Sequence, residues 1–191
     1  MFSLNKILII EDNPEILFAT SRILTKVGFT VLEATTGTEG IELAQRQNPD
    51  LILLDVVLPD INGLDVCRAL KSEKASSHIF ICILSSQRVS SSNQSEGLEI
   101  GADAYITRPI ENRELIARVK AMIRLISAEK ELQRHKEKLE ELVKERTEEL
   151  NNALLKKVKT ERALEESNER FKHLFIDSPV PIWEEDFTDI Y

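Results

Sequence analysis

The sequence predicts an α/β fold built on a doubly wound, five-stranded parallel sheet, and two observations support this prediction. Five short apolar runs alternate with amphipathic stretches along residues 6–125. Runs that are apolar throughout are typical of parallel strands covered by helices on both faces. In such sheets the functional residues gather at the carboxyl ends of the strands.

The elements follow from local patterns along this stretch. Ile7-Leu8-Ile9-Ile10 ends the first apolar run, and Asn13-Pro14 is typical of a helix N-cap followed by proline at the first helical position. Gly28 suits the end of that helix. The predicted strands are Lys6–Ile10, Thr30–Ala34, Leu51–Asp55, Phe80–Leu84 and Ala104–Thr107, and the predicted helices are Pro14–Val27, Thr38–Gln47, Gly63–Ser72 and Ser92–Ile100.

From about Asn112 the pattern changes to one long helix. No proline or glycine occurs between Glu111 and Ser178, and residues 126–172 are rich in Glu, Lys and Leu. Positions seven residues apart, with one four-residue step that is a stutter in the heptad pattern, form one line: Leu125, Leu132, Leu139, Val143, Leu150, Lys157, Leu164 and Phe171. We expect a parallel, two-stranded coiled coil and hence a homodimer; the alternative is a single solvated, charged helix.

The helical pattern stops at Ser178-Pro179, and Pro181 follows closely. We therefore expect three parts: a domain over 1–124, a coiled-coil helix over 125–172, and the truncated start of another domain over 173–191.

Composition excludes several classes of function for these residues. The net charge is −8 and no basic patch is present, so nucleic-acid binding is not expected. No apolar stretch is long enough for a membrane helix, and the apolar N-terminal stretch is too short for a signal peptide, so we expect a cytoplasmic protein with no membrane contact. Cys67 and Cys82 are expected to be buried, reduced thiols.

Three carboxylates follow buried strands. Asp55 ends the run Leu51–Leu54, and Glu11-Asp12 follow Ile7–Ile10. A carboxylate at the end of a buried strand is costly unless a charged group meets it there. We therefore predict a divalent-cation pocket and a phosphoryl acceptor at this edge of the sheet, near the ends of two further strands that carry Ser85 and Arg108.

Residues 5–125 resemble the receiver domain of two-component response regulators. The matching motifs are Glu11-Asp12, Asp55 with Pro59 and Gly63, Ser85 after Ile81-Cys82-Ile83-Leu84, and the run from Gly101 to Arg108-Pro109. The resemblance implies a flavodoxin-like fold. It also implies that Asp55 accepts a phosphoryl group from a histidine kinase or a phosphotransfer protein.

The resemblance implies a role for each site residue. Asp12, Asp55 and the Val57 backbone carbonyl would bind Mg²⁺ (or Mn²⁺) directly, and Glu11 would bind it through water. Ser85 would donate a hydrogen bond to the phosphoryl group, and Tyr105 would act as the switch aromatic. The Arg108–Pro109 peptide bond is expected to be cis.

One residue departs from the family pattern, because Arg108 stands where the family nearly always has lysine. The guanidinium group of arginine is larger, planar and forked, whereas the ammonium group of lysine is compact and acts as a point charge. Two readings therefore stay open: a phosphorylatable receiver with Arg108 as phosphate contact, and a pseudo-receiver that serves as a dimerisation scaffold. A phosphatase of the haloacid dehalogenase type needs a second aspartate where this chain has Val57, so turnover catalysis is not expected.

The helical part has resemblances of its own. Leu139–Leu150 is similar to the signalling helices that precede PAS sensor domains, and Glu169–Phe175 with Ser178-Pro179 resembles the start of a PAS domain. These resemblances imply that the state of the receiver is relayed through a dimeric helix to a PAS or effector region.

Overall fold

A computed structural model describes residues 5–86 and 101–176, and within them it confirms the predicted fold class. One sheet of five parallel strands has the order β2-β1-β3-β4-β5. The strands are β1 (Lys6–Ile10), β2 (Thr30–Ala34), β3 (Leu51–Asp55), β4 (Phe80–Ser86) and β5 (Ala104–Arg108), and the helices are α1 (Pro14–Val27), α2 (Gly37–Gln47), α3 (Gly63–Ser72) and α4 (Asn112–Ile176).

The sheet separates two apolar core layers. Side chains alternate between the faces of a strand, so Leu8 and Ile10 of β1 face α2 and α3, whereas Ile7 and Ile9 face α1 and α4. Cys67 belongs to the first layer and Cys82 to the second, and both thiols are buried and reduced, as predicted. Strands β1 and β3 are therefore buried on both faces, which explains why their sequences are apolar throughout.

The ends of α1 follow from its flanking residues. The Asn13 side chain accepts hydrogen bonds from the backbone N–H groups of Glu15 (3.0 Å) and Ile16 (3.3 Å), and Pro14 opens the helix. Gly28 ends it with φ at +102°, a left-handed conformation that glycine adopts without a Cβ clash.

Three elements extend beyond their predicted bounds. Helix α2 starts one residue early, at Gly37, because Thr36 acts as its N-cap. Strand β4 is two residues longer than predicted and β5 one residue longer, since their ladder continues to Ser86 opposite Arg108. The Arg108–Pro109 bond is cis, as predicted.

Helix α4 begins in the core and continues as a solvated helix. Leu115, Val119 and Ile126 pack in the second core layer. The chain divides into two compact units after Leu132. In the second unit the apolar side chains of α4 are exposed, including Leu139, Leu142, Val143, Leu150, Leu154, Leu155, Val158, Leu164 and Phe171.

The predicted helix Ser92–Ile100 and residues 177–191 of the PAS-like segment lie outside the described residues. In the part of the chain that is described, no helix combines the length and the apolar character needed to cross a membrane.

Candidate functional site

The predicted carboxylate cluster forms at the carboxyl ends of β1 and β3. These strands are neighbours in the sheet, and Ile10 pairs with Leu54, so the residues that follow them emerge side by side. Each of Glu11, Asp12 and Asp55 offers a carboxylate oxygen that lies within 4.8 Å of the others. Glu11 is almost completely buried and Asp12 is exposed, so the cluster sits at the rim of the sheet.

The loop after β3 is folded tightly against Asp55. The Val57 N–H donates to Asp55 Oδ2 at 2.8 Å, and the Gly63 N–H donates to the Val56 carbonyl at 2.9 Å. A Cβ added to Gly63 would lie 2.0 Å from the Asp55 carbonyl oxygen. Position 63 therefore requires glycine because the backbone of β3 occupies the space of a side chain.

Arg108 brings a positive charge to the cluster from the end of β5. Its Nη1 atom contacts Glu11 Oε2 and lies 3.2 Å from Asp55 Oδ1. Strand β4 separates β5 from β3, so the guanidinium reaches across the end of one strand to meet the carboxylates. One guanidinium against three carboxylates leaves two negative charges when all three are ionised.

Burial dominates the acidity of Asp55. The pKa of its carboxyl group is raised from 3.8 to about 6, mainly by desolvation, and the charges of Glu11 and Asp12 act in the same direction. The Val57 N–H and the Arg108 guanidinium lower the pKa and offset only part of that rise. Asp55 is thus a poorly hydrated carboxyl group, and a bound cation would stabilise its ionised form.

The other predicted site residues occupy nearby strands. Ser85 is buried in β4, one residue after Leu84, which pairs with Asp55. Tyr105 is half-buried in β5 and packs against the first core layer, so it lies within the fold rather than on the rim of the cluster. Neither Ser85 nor Tyr105 lines the cleft that opens over the carboxylates.

This cleft, of about 850 Å³, has a wall that the sequence patterns did not predict. Carboxylates and Arg108 form its floor. Apolar or small side chains from α1 and from the segment that follows β5 form much of its sides, namely Ile16, Ala19, Pro109, Ile110 and Leu115. The polar cluster therefore opens beside an apolar surface.

The hydrogen bonds of two residues near the cluster, Asn13 and Asp60, were not predicted from the sequence. The Asn13 N–H donates to Glu11 Oε1 at 3.3 Å, so the residue that caps α1 also orients a cluster carboxylate. Asp60, in the loop after β3, accepts hydrogen bonds from the first turn of α2. The Asn13-Pro14 cap was visible in the sequence, whereas nothing in the sequence pointed to the partner of Asp60.

The donor set fits a hard divalent cation. Carboxylate oxygens are the ligands that Mg²⁺ and Mn²⁺ prefer, and the exposed Asp12 lies on the open side of the cluster. The two negative charges left after pairing with Arg108 match the charge of such an ion.

Comparisons with known proteins bear on the family of this chain. The family model of the response regulator receiver domain matches residues 7–120. The chain is 37% identical over 119 residues to the alkaline phosphatase synthesis transcriptional regulatory protein PhoP of Bacillus subtilis, covering 62% of this chain and 48% of that protein. It is 40% identical over 129 residues to the TorCAD operon transcriptional regulatory protein TorR of Escherichia coli, covering 68% and 54%. The chain thus spans about half the length of these relatives.

Solved structures give the same result. A CheY-like response regulator receiver domain protein from Methanospirillum hungatei superposes with a TM-score of 0.62 at 30% identity, over 66% of this chain and 99% of that one. The BeF₃-activated receiver domain of Klebsiella pneumoniae RstA gives 0.58 at 32% identity, over 63% and 99%. The matched residues include all of the sheet except Lys6, together with the carboxylate cluster, and the chain belongs to the response regulator receiver domain family of two-component systems.

Proposed function

We propose that this protein is a phosphorylation-controlled input module in which Asp55 accepts a phosphoryl group from a phosphohistidine of a histidine kinase or phosphotransfer protein. The observation that carries the proposal is the meeting of Glu11, Asp12 and Asp55 with Arg108 at one rim of the sheet. A buried carboxylate among like charges is a costly arrangement for a residue with only a structural role.

The proposed transfer forms one bond and breaks one. An Asp55 carboxylate oxygen attacks the phosphorus atom, the P–N bond to the histidine breaks, and that nitrogen keeps the electron pair until solvent protonates it. A bound Mg²⁺ would supply positive charge that neutralises the phosphoryl oxygens during transfer. Asp12, Asp55 and the Val57 carbonyl would hold it directly, and Glu11 through water.

Each remaining site residue has a proposed task. Arg108, which contacts Glu11 and Asp55 before transfer, turns toward the phosphoryl oxygens, where a guanidinium can donate two parallel hydrogen bonds. The Ser85 side chain is drawn toward the phosphoryl group, to which its hydroxyl donates a hydrogen bond. Tyr105 then moves into the space that this movement opens. The apolar wall of the cleft is suited to cover the reaction, since it borders the carboxylates directly.

Incubation with Mg²⁺ and a small-molecule phosphodonor, or with a phosphorylated kinase, tests the acceptor role. We expect intact mass spectrometry to show one added phosphoryl group on the wild type and none on Asp55→Asn. An Arg108→Lys variant should also be phosphorylated. Absence of incorporation in the wild type with either donor would contradict the proposal and favour the pseudo-receiver scaffold.

We also propose that α4 forms a parallel coiled-coil homodimer that relays the state of the receiver to a PAS or effector region. The supporting observation is the exposed apolar line along the second unit, which includes Leu139, Val143 and Leu150. An apolar line at heptad spacing is typical of a helix that pairs with a second copy.

Two equally exposed leucines provide a matched test of this dimer. Leu150 lies on the heptad line and is 65% exposed, whereas Leu155 lies off the line and is 61% exposed. We expect Leu150→Lys to shift sedimentation toward the monomer at a given concentration, and Leu155→Lys to leave it unchanged. Equal behaviour of the two variants would contradict heptad pairing.

A further inference from the structure

Asp60 joins the loop that follows Asp55 to the first turn of α2. Its Oδ1 atom accepts a hydrogen bond from the Gly37 N–H at 2.8 Å. Its Oδ2 atom accepts from the Thr38 N–H at 2.8 Å and from the Thr38 hydroxyl at 2.6 Å. Both carboxylate oxygens are therefore engaged by an element that is distant in the sequence, although the residue itself is exposed.

The contacts of Asp60 add to a cap that α2 already has. The Thr36 hydroxyl oxygen accepts from the Glu39 N–H at 3.2 Å, which satisfies one of the orphan donors at the start of the helix. Asp60 accepts hydrogen bonds from two other backbone N–H groups, those of Gly37 and Thr38. Thr36 directly precedes the helix, whereas Asp60 belongs to the loop beside Asp55. The link therefore fixes the position of the loop as well as capping the helix.

Helix α2 is a firm support for this link because it packs closely on both sides. A Cβ added to Gly40 would lie 2.4 Å from the Ile10 side chain of β1, and one added to Gly37 would lie 2.4 Å from Ile61 in the loop. Ile10 directly precedes Glu11 and Asp12. Helix α2 therefore contacts both the loop that holds Asp60 and the strand that precedes the other two carboxylates.

The loop is held at both ends, and between them exposed residues alternate with half-buried ones. On one side the Val57 N–H is bonded to Asp55, and on the other the Gly63 N–H is bonded to Val56. Val57 itself is 67% exposed, and the next residue along the chain with a side-chain hydrogen bond to another element is Asp60. Leu58 and Ile61 pack against the first core layer, and the hydrogen bonds of Asp60 add a directional, polar hold on the segment between them.

We propose that Asp60 is a positioning residue for the metal site. Through its hydrogen bonds to α2, Asp60 holds the Val57 carbonyl at a fixed place relative to Glu11 and Asp12. The inference rests on the proposed function, since it assumes that the Val57 carbonyl is a ligand. Hydrogen bonds to Asp60 from the Thr38 hydroxyl and N–H also hold the pKa of its carboxyl group below the usual range, so the link is intact at any physiological pH.

Calorimetric titration of the full chain with Mg²⁺, and separately with Mn²⁺, tests the inference. We expect Asp60→Ala to weaken metal affinity about 10-fold, because residues that orient metal ligands typically contribute 10- to 100-fold. Asp60→Asn keeps one acceptor oxygen and should fall between the wild type and Asp60→Ala. Phosphorylation of Asp60→Ala by a small phosphodonor should slow at low Mg²⁺ and recover at saturating Mg²⁺.

Thr36→Ala is the matched control, because the Thr36 side chain caps the same helix through a hydrogen bond to Glu39 of that helix. It should lower the stability of α2 while leaving the metal affinity of the wild type. An equal loss of affinity in Thr36→Ala and Asp60→Ala, or no loss in either Asp60 variant, would overturn the inference and leave the proposed function standing. A wild type that takes up neither ion would overturn both.

Discussion

Arg108 Nη1 lies 3.2 Å from Asp55 Oδ1 while it also contacts Glu11, so one nitrogen of the guanidinium joins the carboxyl ends of β1 and β3. The side chain of Glu11 is only 3% exposed, and that of Arg108 only 18%. Breaking a buried pair by removing one partner is costly because the other charge stays buried without compensation.

Loss of Arg108 should therefore destabilise the metal-free protein strongly. For Arg108→Ala in EDTA we expect urea unfolding to show a free energy of unfolding lower by about 3 kcal/mol. Arg108→Lys should lose less stability, because the lysine ammonium keeps the positive charge but lacks the planar, forked shape of the guanidinium. Arg118→Ala is the control, since its pair with Glu114 is exposed, and it should change stability by less than about 1 kcal/mol. Equal effects at positions 108 and 118 would contradict this account.

Asp55 should destabilise the native state at neutral pH. Its pKa rises from 3.8 to about 6 on folding, so the folded form holds its proton more tightly than the unfolded form does. Below about pH 4 both forms are protonated and the difference vanishes; as pH rises to about 6 the cost grows, and above that it is constant.

For Asp55→Asn in EDTA we therefore expect higher stability than the wild type at pH 7.5, by up to about 3 kcal/mol from a shift of about two pKa units. The gain should shrink between about pH 6 and pH 4. Urea unfolding of both proteins across this range measures it. A gain that stays constant with pH, or that grows toward acid, would contradict a raised pKa.

Gly63→Ala should strain the loop beside Asp55. The added Cβ would lie 2.0 Å from the Asp55 carbonyl oxygen and 2.9 Å from the Val56 Cα, and neither backbone atom can move without shifting β3. We expect the free energy of unfolding to fall by about 1–3 kcal/mol, the usual cost of overpacking. Thermal or urea unfolding measures this change. Gly28→Ala has open space but a φ of +102°, so it should cost only about 1 kcal/mol. A Gly63→Ala protein as stable as Gly28→Ala would contradict the close approach.

Lys130 of α4 should anchor the helix to the start of β3. Its ammonium group contacts Asp50 Oδ1, and Asp50 Oδ2 accepts a hydrogen bond from the Lys6 N–H at 2.8 Å. We expect Lys130→Ala to lower stability by about 0.5–1 kcal/mol and to speed amide hydrogen exchange in the turn around residue 130. Lys136→Ala removes only an exposed intrahelical pair with Glu140 and should leave that exchange unchanged. The same exchange rates in both variants would contradict an anchoring role.

Most of the fold could be predicted because its signals are local. Asn13-Pro14 and Gly28 mark both ends of α1, and the apolar runs match β1, β2 and β3 to the residue. The positions of Glu11, Asp12 and Asp55 follow from the same reasoning, since parallel strands bring their carboxyl ends to one edge.

The remaining contacts depend on three-dimensional packing that local patterns do not encode. The partner of Asp60 lies 23 residues away, at Gly37, and depends on how α2 packs on β1. The sequence predicted that Arg108 lies at the same edge of the sheet as the carboxylates. Its reach across β4 to Glu11, 97 residues distant, follows only from the strand order. Pairing of β4 with β5 likewise extended both strands past the limits that apolar patterns suggested.

The two buried cysteines give each core layer its own chemical reporter. Burial raises the pKa of Cys67 to about 11 and that of Cys82 to about 12, so neither thiol ionises readily while its layer stays closed. A labelling reagent in solution reacts with thiolate, and its rate at each position therefore follows the opening of one side of the sheet. With Cys67 and Cys82 replaced one at a time by alanine, the labelling rate would report the opening of each half separately, and a phosphodonor added to the assay would show whether either rate changes.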